Sequence, residues 1–144
     1  MDHLSVNWLA VLIATVASMA LGAIWYMALG KHWMAAIGKT REQIAEGGQA
    51  TPFIFAGVCQ LIMAYFIALV TPALMNGEVT AYTGFLVGVH MWFGFILMAM
   101  IINHRYQGAR WSLTVIDGGY LLGVTVVQGI IIGLFGPMAA AAGA

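Results

Sequence analysis

Between Phe85 and Ile102 the chain reads FLVGVHMWFGFILMAMII, and the single ionisable group in those 18 residues is the imidazole of His90. The apolar run around it extends from about Thr80 to Ile102. An α-helix needs about 20 predominantly apolar residues to cross roughly 30 Å of hydrocarbon, so this run has the length of a membrane span. Three more runs match it, from about Trp8 to Leu29, Phe53 to Leu74 and Ser112 to Phe135. None alternates with period 2, which argues against a transmembrane β-barrel.

Composition agrees. Of the 144 residues, 62% are hydrophobic and only 7% are charged, whereas a soluble domain carries roughly 25% charged residues. The reading is an all-α, polytopic membrane protein with one domain over residues 1–144. Its four transmembrane helices, about 7–29, 53–74, 80–103 and 112–135, form an antiparallel bundle embedded in the lipid bilayer. The first run lacks the basic leader of a signal peptide, since MDHLSVNW holds no Lys or Arg, and it is read as a retained helix. One cysteine, Cys59, leaves no internal disulfide and no cysteine-based zinc cluster. A net charge of zero gives a nucleic-acid partner no electrostatic footing.

The basic residues are segregated. Lys31, Lys39 and Arg41 follow the first span, Arg105 and Arg110 follow the third, and the opposite side holds Asp2 and Glu78 without a Lys or Arg. The positive-inside rule then predicts two cytoplasmic loops, both termini outside, and a multi-pass location in the cell's inner (cytoplasmic) membrane. In the first loop, Lys31 to Ile37 is expected to form a short interfacial helix ended by Gly38. Thr40 and Gln43 have capping-box spacing ahead of a second short amphipathic helix that Gly47-Gly48 would stop. The loop reads as a connector on the membrane surface, with a docking platform for a partner as the alternative. Asn76-Gly77 marks a tight turn joining the second and third spans as antiparallel neighbours.

Glycines recur four apart at Gly84 and Gly88, at Gly119 and Gly123, and at Gly129 and Gly133. Small residues so spaced share a helix face and let another backbone approach, either inside the bundle or between copies. Polar residues within the spans are few: Gln60, His90, Asp117 and Tyr120, with Thr114 and Gln128 on the same stripe of the last span. Lipid offers no hydrogen bonds, so these four are expected to face the bundle interior as a cluster. Asp117 is expected to pair with Arg105, Arg110 or a polar group at the end of the third span, all at the same end. The cluster reads either as a hydrogen-bonded brace or as a proton-carrying or substrate site.

No Walker A, dinucleotide fingerprint, His-Glu-x-x-His or Gly-x-Ser-x-Gly occurs, so an enzyme, a metal and a cofactor are not expected. The features Asn7-Trp8, Gly22-x-x-Trp25-Tyr26, Gly30-Lys31-x-Trp33-Met34 and Gly38, with Asp117-x-Gly119-Tyr120 near the other end, resemble the bacterial membrane family called domain of unknown function 1761 (DUF1761). That resemblance covers nearly the whole chain. It implies a small four-helix membrane protein and supplies no reaction or substrate. Two functions remain in view: a structural or accessory subunit that forms a homo-oligomer or packs against a larger membrane complex, and a small proton-linked transporter or permease using the His/Asp/Tyr/Gln cluster.

Overall fold

The computed structural model describes residues 5–137 and is an all-α polytopic bundle. Its helices are α1 (Trp8–Ile37), α2 (Arg41–Glu46), α3 (Ala50–Leu74), α4 (Ala81–Met91), α5 (Met98–Tyr106) and α6 (Trp111–Phe135). A π-helical turn, Trp92–Leu97, joins α4 to α5, so Ala81–Tyr106 is one continuous rod. This rod and α1, α3 and α6 are the four helices long and apolar enough to span a membrane.

Local chemistry sets the helix ends. The Asn7 side chain accepts from the Ala10 amide at 3.2 Å and starts α1. Nothing interrupts α1 until Gly38, whose φ of 70° closes it with a left-handed turn. The separate interfacial helix expected over Lys31–Ile37 is therefore the last part of α1. Gly30 alone costs a helix only about 1 kcal/mol relative to alanine. At 30 residues, α1 is about 45 Å long and exceeds the ~30 Å hydrocarbon core, so one end stands in the interface. Reciprocal capping boxes start α2 (Thr40 with Gln43) and α4 (Thr80 with Thr83). Asn76 and Gly77 adopt positive φ in the turn between α3 and α4.

Helix α6 is the centre, in contact with α1, α3 and α4. Its nine buried residues include four polar ones or glycines in the run Thr125, Gln128, Gly129 and Gly133. The α4–α6 contact is backbone on backbone: a Cβ on Gly84 would overlap the Gly129 carbonyl, one on Gly88 the Thr125 carbonyl, and one on Gly133 the Thr80 carbonyl. Another stripe of α6 meets α1, where Gly119 receives the Trp25 ring and Gly123 the Leu21 side chain. All six glycines singled out from the sequence thus pack within one chain. The end of the bundle holding the start of α1 is closed by an apolar core of Val6, Ala10, Val11, Ala14, Ala64, Ile67 and Ile132.

Candidate functional site

The polar groups inside the bundle form a path that begins near the basic end, the end carrying Lys31, Arg105 and Arg110. Asp117 lies in the second turn of α6, and its Oδ1 accepts a 2.7 Å hydrogen bond from the Tyr26 hydroxyl of α1. The Tyr26 ring stands edge-on to Tyr120 (centroids 5.1 Å apart) and to Trp33 (5.7 Å). Tyr120 Oη accepts from Gln60 Nε2 of α3. The phenol fits because Gly22 has no side chain, since a Cβ there would lie 2.9 Å from the Tyr120 oxygen. Deeper still, Gln128 Nε2 donates to Ser18 Oγ and to the Gln60 backbone carbonyl, each at 3.0 Å. Three helices are tied by side chains that lipid could not satisfy.

Two indoles brace the same region. Trp25 Nε1 donates to the Ile116 carbonyl at 3.1 Å, and Trp92 Nε1 donates to the Gly118 carbonyl at 2.8 Å. Trp92 opens the π-helical turn, and such single-turn bulges occur frequently at functional sites. Gln60 Oε1 and Gln128 Oε1 are buried along the path and accept no hydrogen bond from another protein group. Beyond Gln128 and Ser18 the interior becomes the apolar core around Val11 and Ile67.

The cluster expected from the sequence is thus divided. Gln60, Asp117 and Tyr120 lie along this path, whereas His90 is exposed on the outside of the bundle. His90 Nδ1 bonds the Leu86 carbonyl of its own helix at 2.7 Å. The buried positions of α4 are Thr83, Gly84, Val87 and Gly88; His90 lies at the edge of that stripe, beyond its last buried member, and its ring turns outward.

The expected pairing of Asp117 with Arg105 or Arg110 is also replaced. Arg105 Nη2 donates to Thr114 Oγ1 at 3.0 Å while its guanidinium stacks 3.8 Å from the Trp111 ring centroid. Thr114 also bonds His104 Nδ1 at 2.8 Å. Arg110 Nη1 donates to the Ala35 carbonyl at 3.2 Å. These contacts engage the guanidinium groups at the basic end, although Arg105 Nε is buried without a protein partner, and the deeper carboxylate takes a phenol instead.

Sequence reasoning passed over Tyr26 and Ser18 as partners. Tyr26 was legible only within the Gly22-x-x-Trp25-Tyr26 feature, although its place four residues after Gly22 is what lets two tyrosines meet. Among the described residues no group of three or more His, Cys, Asp or Glu side chains converges as a metal site.

The geometry defines a class: a small polytopic helical membrane protein with a hydrogen-bonded interior. The chain belongs to the family described as protein of unknown function (DUF1761), which it matches over residues 9–133. No curated protein and no solved structure matches it.

Proposed function

We propose that the chain is an accessory subunit of a membrane complex, docking through the outer face of α4 and α5. The observation that carries this reading is His90. Its depth is about 14 Å from the start of α4 at 1.5 Å per residue, and it is exposed where lipid would otherwise surround it. A polar ring facing hydrocarbon is costly, and such groups ordinarily find a partner. The Leu86 carbonyl can only accept, so Nδ1 carries a proton, and an uncharged ring would then leave Nε2 as a free acceptor. Two copies meeting at His90 across a two-fold axis would oppose two acceptors. The matching partner is therefore a different transmembrane helix that offers a donor. Gly94, with nothing within 4 Å of its Cβ position, provides a notch beside it.

The interior supports this reading over a transport path. The polar chain ends beneath the apolar core of Val6, Val11, Ile67 and Ile132, and the glycine faces are already occupied within the chain. A photoreactive residue at exposed Phe93, on the His90 side, is expected to capture one protein of defined mass in cells. The same residue at exposed Phe53 on α3 is not. His90→Leu is expected to abolish the adduct while the purified variant keeps its melting temperature. Equal capture at both positions, or capture at 93 that persists in His90→Leu, overturns the proposal.

The segregation of all five Lys and Arg residues supports a cytoplasmic basic end. In a Cys59→Ser background, a cysteine at Glu78 is expected to react with an impermeant thiol reagent on intact cells and one at Lys39 to be protected. The reverse pattern would invert the orientation.

A further inference from the structure

Where α1 outruns the hydrocarbon core, its end and α2 enclose a cleft of about 400 Å³. Tyr26, Trp33 and Met34 line it from α1, and Arg41, Ile44 and Ala45 from α2. The three α2 residues follow i, i+3, i+4 spacing, so they share one face of that short helix. The two carboxylates of α2, Glu42 and Glu46, are not among the lining residues. The cleft therefore receives a single cation, with an amide from Gln49, over aromatic and apolar walls. Its shape is held by the left-handed turn at Gly38 and the capping box of Thr40 and Gln43.

We propose that this cleft seats the headgroup of a phospholipid, with the phosphate on Arg41 and the glycerol and first acyl carbons against Met34, Ile44 and Trp33. A guanidinium matches phosphate oxygens with paired N–H donors. The apolar walls suit an amphiphile better than a soluble ester. The position suits it too, because an amphipathic helix at a span's end lies at headgroup level. Tyr26 gives the site a consequence: it lines the cleft while its hydroxyl holds Asp117. A seated headgroup is then one side chain away from the half-buried carboxylate.

Native mass spectrometry of the delipidated chain in detergent tests this with three probes: phosphatidylglycerol, a chain-matched diacylglycerol and glycerol 3-phosphate. One phosphatidylglycerol is expected to be retained per chain. Arg41→Gln is expected to reduce retention about tenfold, as befits the loss of one charge-assisted contact. Ile44→Glu, which sets a carboxylate on the cleft face of an exposed helix, is expected to reject the lipid with the chain still folded. Lys39→Gln, outside the lining, is expected to leave retention unchanged. Retention unaltered in both cleft variants overturns the proposal, as does diacylglycerol retained equally well. Displacement by glycerol 3-phosphate alone would assign the cleft to a soluble phosphate ester and overturn the lipid.

Discussion

Gly84→Val is expected to destabilise the chain by more than about 3 kcal/mol, beyond the usual range for overpacking. Its Cβ would meet the Gly129 carbonyl carbon and oxygen, which are backbone and cannot rotate aside. The only relief is to part α4 from α6. In lipid that loss is not recovered by burying apolar surface elsewhere, because helix association there depends on close packing and hydrogen bonding. Weak Cα–H to carbonyl contacts, common where helices come this near, would be lost with it. Gly57→Ala in α3 is the matched control. Its new methyl would lie 3.9 Å from Met19 Cε, an ordinary contact, and the better helix propensity should leave stability equal or up to about 1 kcal/mol higher. Thermal unfolding in detergent compares the two. An unchanged midpoint for Gly84→Val would remove the backbone contact from the account of the fold.

The second large effect concerns the bond between Tyr26 and Asp117. Asp117→Leu leaves the Tyr26 hydroxyl half-buried without its acceptor, at a cost of about 1–3 kcal/mol. Asp117→Asn keeps an acceptor oxygen in place and is expected to cost clearly less. Adding Tyr26→Phe to Asp117→Leu removes the stranded donor and should restore part of the stability, with a coupling of roughly 0.5–3 kcal/mol in the double-mutant cycle. Arg105→Gln should not couple to Asp117, since Arg105 is engaged by Thr114 and Trp111. Additive Tyr26 and Asp117 effects, or strong coupling between Arg105 and Asp117, would return the carboxylate to the arginines.

The spans, the capping box at Thr40 and Gly38's helix stop were legible because each is a local signal: length in apolar residues, a side chain reaching a nearby amide, a backbone angle glycine adopts freely. The meeting of Gln60 with Tyr120 was legible through depth alone, at 1.5 Å per residue from a common boundary. Rotation about the helix axis was not. A span that is apolar all round has no polar stripe to mark its outer face, so nothing in the letters around His90 tells inside from outside. The π-helical turn after it also breaks the 3.6-residue count along the rod. The partner of Asp117 was hidden for a different reason. Charge complementarity pointed to the arginines, while the carbonyl of Ala35 and the hydroxyl of Thr114, which engage them, carry no sequence signature.

Two of the hydrogen bonds between α1 and α6, at Trp25 and Tyr26, each span 91 residues, and this sets a waiting time during synthesis. The first helix leaves the ribosome with its partner still unmade, and at roughly 5–20 residues per second the delay is on the order of 5–20 s. Ser18 is provided for meanwhile, because its hydroxyl turns back on the Thr15 carbonyl of its own helix. Tyr26 and Trp25 lie toward the basic end, where water can serve them until α6 arrives. The glycine-lined hairpin of α4 to α6 waits less, being closed by a loop of four residues between Tyr106 and Trp111. Helix α1 can meet α3 earlier, through Trp8 on Tyr65, but its polar bonds to α6 close only once that helix is made.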